Sequence, residues 1–478
     1  MTPTGSHVPP TLVCQERTWS TDELIEAAAA WRDAAAGAMA RSPSFVALPM
    51  ASDPEAVALF FALSCFATPI VLLPATLRGW HSVPSIPAGT PLFLPPGLRD
   101  RAADGARLGL RPFVLGEPGR PRNADRVRFM TAPGFVFFTS GSTGRPRPVY
   151  RTTAQLVDAG RAPVTAVGFP SRGGLIGSLP LDRTFGMHHG LMAAMVLGRP
   201  LALLPRFDHQ AVLSLFASGE YHYWAATPVM ADVLGRCRLP QAADQPHPAP
   251  PVCVISGRLS TPVSEAFRAR FDVPLRQVYG TTETGAVTMD AEPSHLVRSE
   301  TAGRPLPGVR VRIGDDPRTP MPAGSLGRVW VSSPGCAPGY GFPPDLEPLP
   351  GVDGWWAGPD AGVLSGDGYL AVAGRMDDCI RTGSGHIVST VVVAEALEAC
   401  PGVVEALVVP VGAAAEPVIA ALLESSRPLD LNGIRDHVAR RLPSWSQPRI
   451  LEQTRALPRL PSGKPDRLAC MARLELSR

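Results

Sequence analysis

The stretch FFTSGSTGRPRPV, Phe137 to Val149, sets the frame for the chain. Four hydroxyl residues (Thr139, Ser140, Ser142, Thr143) and two glycines (Gly141, Gly144) follow the strand-like run Phe135 to Phe138, and Val149-Tyr150 resumes an extended pattern. Such a loop can turn consecutive N–H groups and hydroxyls toward phosphate oxygens, with glycine permitting positive φ and close approach. The chain contains no GxxxxGK[ST], so this is not a Walker loop. Taken alone, the same residues would serve equally well as a surface turn.

Upstream of that loop, helical stretches (Asp22 to Ala36, Pro54 to Phe66) alternate with short apolar runs (Phe45 to Leu48, Ile70 to Leu73), the pattern of a helix-covered parallel sheet. Ala56 to Leu77 is uncharged for about the length of a membrane span. Pro69 ends that helix, and the residues after it read as a buried strand, so no membrane span is expected. Downstream, a second α/β region runs from Leu175 to Met289, with strand candidates Pro200 to Leu204, Trp224 to Ala226 and Val252 to Ile255. From Gly308 short β-branched runs separated by Gly and Pro (Val309 to Ile313, Val329 to Val331, Tyr369 to Val372) suggest a distorted β-barrel. An α+β tail follows Arg375, with helices over Val391 to Ala399 and Ile434 to Arg441 and strands over Ala406 to Val411 and Pro417 to Leu423. The expected fold is therefore α/β: a large N-terminal domain of two α/β subdomains plus the barrel (1–376), and a small mobile α+β C-terminal domain (377–478).

Composition narrows the function classes. The 478 residues are 45% hydrophobic and 18% charged with a net charge of +3, and the basic residues form no block, so nucleic acid is not an expected partner. The 8 cysteines show neither CxxC pairs nor histidine-linked metal spacing. They read as reduced thiols, and the first residues lack a signal peptide, so the expected location is the cytoplasm. Among 45 Lys+Arg residues there is a single lysine, Lys464.

Four more short motifs follow the glycine loop: YGTTE at Tyr279 to Glu283, Asp360, GRMDDCI at Gly374 to Ile380 and PSGKPDR at Pro461 to Arg467. In this order they resemble the adenylate-forming enzyme superfamily: acyl- and aryl-CoA synthetases, firefly luciferase and non-ribosomal peptide adenylation domains. Thr139 to Pro146 matches the phosphate loop TSG[ST]TGxP, YGTTE matches YGxTE, GRMDDCI matches GRxDDxI and PSGKPDR matches PxGKxxR. Asp360 takes the acidic place of the TGD motif. Asp367, in the similar-looking SGDG, belongs to the later DGYL element and reads as a turn residue.

The resemblance implies roles. Thr139, Ser140, Gly141, Ser142, Thr143, Gly144, Gly280, Thr281 and Thr282 would surround the nucleotide. Tyr279 would stack on adenine, Asp360 would accept from the ribose hydroxyls and Arg375 would hold the ribose and phosphate side. Glu283 would bind Mg²⁺, and Lys464, Glu283 and Thr282 would act in catalysis. The acid pocket would include Arg183, Phe185, His189, Ser256, Gly257 and Gly280, and Asp377 would be the hinge. The implied reaction is ATP-dependent activation of a carboxylic acid, aromatic such as a hydroxybenzoate or fatty, as acyl-AMP. Transfer to a phosphopantetheine thiol would follow, on an acyl carrier protein or alternatively on CoA.

Departures from the family pattern bear on that reading. Arg147-Pro148 replaces the usual Lys-Gly, keeping a cation while stiffening the chain. Arg183 stands where relatives carry an aromatic residue or histidine; a guanidinium buried there needs a partner, either Asp182 or the substrate. The tail segment Gly383 to Ser389 is one residue longer than usual, and Ala394 replaces a common glutamate. These departures leave open a rival of another class, a non-catalytic nucleotide or acyl-adenylate binding protein.

Overall fold

The computed structural model describes residues 7–15, 17–76, 80, 86–121, 127–139, 146–169, 172–237, 250–383, 386–413, 416–459 and 465–476. The chain forms two compact units, the first made of 1–310 with 331–356, the second of 311–330 with 357–478.

The first unit holds two large sheets. Nine strands run in the order Arg304–Pro305, Gly285–Met289, Leu275–Thr281, Val252–Ser256, Tyr221–Ala226, Gly174–Gly177, Leu201–Leu203, Leu12–Cys14 and Arg17–Trp19. The six from Leu275–Thr281 to Leu12–Cys14 are parallel, and antiparallel pairs close both edges. The eight-stranded sheet runs Asp345–Glu347, Gly339–Phe342, Pro148–Thr152, Gly134–Phe138, Ile70–Leu73, Val46–Pro49, Pro91–Leu94 and Arg111–Val114. Its last five strands are parallel.

Strands Val46–Pro49, Ile70–Leu73 and Gly134–Phe138 are buried at every residue. Helices cover parallel sheets on both faces, so such strands read as unbroken apolar runs without alternation. One core joins the two sheets: Leu72 and Phe135 from one, Tyr223 and Val254 from the other, with helical Trp31, Phe60 and Leu156 between. The uncharged run at 56–77 resolves into the buried helix Pro54–Leu63 and the strand Ile70–Leu73. Asp53 caps that helix by accepting from the Ala56 N–H at 2.8 Å, and Pro54 opens it. No helix among the described residues is long and apolar enough to cross a membrane.

The β-rich segment forms a five-stranded sheet from Arg310–Ile313, Leu326–Ser332, Gly351–Val352, Trp355–Leu364 and Leu370–Arg375. Beyond it, in the second unit, lie Glu405–Val411, Val418–Glu424 and Ile450–Thr454. Alternate residues of Glu405–Val411 enter opposite cores, as strand geometry demands. Val408 packs with Val393, Leu397 and Ile434, whereas Val409 packs with Cys470 and Leu474. A helix on each side therefore covers this small sheet. In class the fold is the expected mixed α/β arrangement, with a large N-terminal part and a smaller C-terminal α+β part.

Candidate functional site

Three parallel strands of the nine-stranded sheet end in segments that carry sequence-predicted residues. Gly174–Gly177 leads to Asp182-Arg183, Val252–Ser256 to Gly257, and Leu275–Thr281 to Thr282-Glu283. In the other sheet Gly134–Phe138 leads to Thr139. Carboxyl ends of parallel strands are where open α/β sheets bind ligands, because the strand fixes the last residue while the following loop is free to vary.

Tyr279, Gly280 and Thr281 finish one strand, and Thr282 to Thr284 turn the chain into Gly285–Met289. The pairing register shifts between Tyr279 and Gly280, a bulge that re-aims the side chains at the hairpin tip. A Cβ at Gly280 would run into the Gly285 carbonyl oxygen. The tip is laced by hydroxyls, with Thr281 Oγ1 and Thr284 Oγ1 3.1 Å apart.

Arg151 lies against this tip. It sits on Pro148–Thr152, fully buried, and donates from Nη1 to the Thr282 carbonyl at 2.9 Å and from Nη2 to the Gly335 carbonyl at 3.0 Å. Its Nε has no hydrogen-bond partner among the described residues. Burial lowers its pKa to about 10, so it remains a cation at neutral pH. Gly285 has φ +68°, and a Cβ there would meet Arg151 Nη2 at 3.1 Å, so both backbone and neighbour ask for glycine. The sequence reading missed Arg151; the signal was a charge inside the buried strand run VYRT, shortly after the glycine loop.

Glu283 is half-buried. Its Oε1 accepts from the Tyr340 hydroxyl at 2.9 Å, and no described residue bonds Oε2. No group of three or more His, Cys, Asp or Glu side chains among the described residues could cage a metal. A single carboxylate with a free oxygen suits Mg²⁺, which takes most of its ligands from water and substrate phosphates. The Glu283 carboxylate is chemically suited to such an ion.

Asp182 and Arg183, after Gly174–Gly177, pair at 3.6 Å, but in the reverse of the expected sense. Asp182 is the buried member, while the Arg183 side chain is 48% exposed. Burial raises the Asp182 pKa and the guanidinium partly offsets that. Phe185 and His189 lie with ring centroids 4.4 Å apart, and His189 Nδ1 is 2.6 Å from the Tyr223 hydroxyl. Burial holds the His189 pKa down to about 3 and pushes Tyr223 up, so a neutral phenol and a neutral imidazole share this hydrogen bond. Met187–Met192, which carries His188 and His189, is a π-helical turn, a distortion that recurs at functional sites. Ser256 is in register with Val278, next to Tyr279.

In the second unit, Asp360 and Arg375 face each other across adjacent strands, with Nη1 3.4 Å from Oδ1. Asp360 is buried. Asp367 accepts from Ser365 Oγ inside the turn joining those strands. Asp377 is exposed in the short 3₁₀ turn Met376–Asp378. On either side of it the chain is anchored: Ser389 Oγ donates to the Ala373 carbonyl, Thr390 Oγ1 to the Asp378 carbonyl, and Arg467 pairs with the Asp378 carboxylate at 2.9 Å. Ser140, Gly141, Ser142, Thr143, Gly144 and Lys464 lie outside the described residues.

Comparison with known proteins agrees with this geometry. A family model described as AMP-binding enzyme matches residues 117–341. A sulfoacetate–CoA ligase of Cupriavidus necator is 28% identical over 387 residues, 78% of this chain and 74% of the relative. The fatty acid–[acyl-carrier-protein] ligase ScoC of Streptomyces coeruleorubidus is 34% identical over 220 residues, 43% of this chain and 41% of ScoC. In fold, the ATP-bound MatB of Rhodopseudomonas palustris superposes with a TM-score of 0.74 at 21% identity, over 99% of this chain and 97% of that one. Strand-end loops in two parallel-rich sheets and a YGTTE hairpin carrying a half-buried carboxylate thus belong to a chain that is similar, over residues 117–341, to the AMP-binding enzymes.

Proposed function

We propose that the protein is an AMP-forming acid–thiol ligase: it activates a carboxylic acid with ATP as an acyl adenylate and passes the acyl group to a phosphopantetheine thiol. The observation that carries this reading is Glu283, fixed through one oxygen by Tyr340 and with no partner for the other among the described residues, on a hairpin buttressed by a buried arginine. In the first half-reaction the acid carboxylate attacks the α-phosphorus and pyrophosphate leaves. The chain contributes position and charge, the two means by which phosphoryl and adenylyl transfer are catalysed.

Residues 139–144 receive the phosphates, Tyr279 lies on adenine, Gly280, Thr281 and Thr282 line the nucleotide, and Asp360 and Arg375 take the ribose. Glu283 would hold Mg²⁺, which when bound screens the triphosphate against the incoming carboxylate. Lys464 supplies a positive charge between carboxylate and α-phosphate. Asp377 is the hinge about which residues 377–478 turn between half-reactions.

The acid is aromatic, such as a hydroxybenzoate, or fatty. The wall formed by Phe185, His189 and Tyr223 suits an aromatic ring, and the likeness to a fatty acid–carrier-protein ligase favours a carrier protein as acceptor. A second reading, free CoA as acceptor, is favoured by the longer match to a CoA ligase. We place the reaction in a reducing cytoplasm, with which eight unpaired cysteines agree. Acid-dependent exchange of pyrophosphate into ATP, over a panel of aromatic and fatty acids, tests the proposal. Exchange with at least one acid is expected. Nucleotide binding without exchange for any acid would return the binding-protein reading.

A further inference from the structure

Arg147, in the place of the usual lysine, does three things at once. Its backbone clasps Thr139: the Arg147 N–H donates to Thr139 Oγ1 at 2.9 Å, and the Thr139 N–H donates to the Arg147 carbonyl at 3.0 Å. This reciprocal pair closes the base of the glycine loop. Its guanidinium carbon lies 3.5 Å from the centroid of the Tyr340 ring, the geometry of a cation over the electron-rich face. Its Nη2 reaches Glu347 at 2.8 Å. That ion pair is solvent-exposed and contributes little by itself, but it sets the plane of the guanidinium.

Tyr340 is held just as firmly. It is 7% exposed, pairs across strands with Val149 and packs with Val149 and Ala337. Its hydroxyl has one described partner, Glu283 Oε1. A continuous path thus runs from the loop base through Arg147 and Tyr340 to Glu283. Lysine could supply the charge but not a planar face that lies on the ring while its edge meets Glu347.

We propose that Arg147 and Tyr340 are positioning residues that hold Glu283 with its second oxygen presented to the magnesium of MgATP, and that tie this orientation to the base of the phosphate loop. The inference rests on the ligase reading, because that reading supplies the bound nucleotide.

The test is calorimetric titration of ATP into the full chain at a series of Mg²⁺ concentrations and in excess EDTA. For Tyr340→Phe the Mg²⁺ needed for half-maximal tightening should rise about tenfold or more, the scale of one lost hydrogen bond to a charged group. ATP affinity in EDTA should stay unchanged. Arg147→Met should move the same quantity in the same direction, and being exposed it tests the idea even if Tyr340→Phe fails to fold. Arg147→Lys should recover only part of the loss. In a Glu283→Gln background, Tyr340→Phe should add nothing. An unaltered Mg²⁺ dependence in Tyr340→Phe or Arg147→Met, with only the melting temperature lowered, would overturn the inference. If Glu283→Gln abolishes Mg²⁺-dependent tightening while both other variants leave it intact, this inference falls and the ligase reading stands. A wild-type chain that binds no ATP with or without Mg²⁺ would overturn both.

Discussion

Two side chains bear the sharpest expectations at the residue scale. Lys464 is the single lysine among 45 basic residues and lies in PSGKPDR. Where arginine serves everywhere else, a retained lysine points to a place that needs a compact point charge between two oxygens, which a guanidinium fork does not match. Lys464→Arg and Lys464→Ala should each slow adenylate formation by about 10²-fold or more, the scale of losing one charge-stabilising donor. Thiol transfer from supplied acyl adenylate should be much less affected, and single-turnover assays of the two half-reactions check this. His189 makes a different prediction. Unfolded, an imidazole takes its proton near about 6.5, whereas buried against Tyr223 it does so only near about 3. Between those values the unfolded chain holds more protons, so stability is complete above about 6.5 and is lost as pH falls toward 3. The loss should approach about 1.4 kcal/mol per pH unit well below 6.5. Thermal unfolding from pH 7 to pH 5 should show a smaller decline in His189→Gln than in the wild type.

At the scale of elements, the hairpin Leu275–Thr281 to Gly285–Met289 depends on a neighbouring strand for its tip. Arg151→Leu would leave the Thr282 and Gly335 carbonyls without their donor, at a cost of about 2 kcal/mol or more. We expect a lower melting temperature together with weaker ATP binding, and a gentler fall in Arg151→Lys, which can still serve one carbonyl. Loss of stability with normal nucleotide affinity would limit Arg151 to a structural role. The same elements show what the sequence disclosed. Ile70–Leu73, Val252–Ser256 and Thr390–Glu398 stand within one residue of their expected bounds because apolar runs, or capping residues such as Ser389, mark their ends. YGTTE and GRMDDCI were legible because a turn or hinge confines its residues to one short segment. Arg151 and Tyr340 were not, since their roles exist only through partners 131 and 57 positions away. Arg183 was misjudged for a related reason: spacing identifies a neighbour such as Asp182 but not which of the two is buried.

For the whole molecule, the relatives divide between CoA and carrier-protein ligases, and the acceptor is the open question they pose. We expect faster transfer to a carrier protein than to CoA at equal concentration, measured as kcat/KM. A clear preference for CoA would make the enzyme an ordinary CoA ligase. One property of the molecule bears on how it is made. The chain leaves its first unit after Arg310, returns at Val331 and leaves again after Trp356. The returning segment brings Tyr340 and Glu347, so the carboxylate of Glu283 emerges from the ribosome well before its hydrogen-bond donor does. Domains fold as units while synthesis proceeds, and here the unit cannot be completed until residue 356 has been added. A chain stopped at residue 310 would contain every parallel strand of both large sheets yet lack the last antiparallel ribbon, leaving the edge at Pro148–Thr152 unpaired and open to association with other nascent chains.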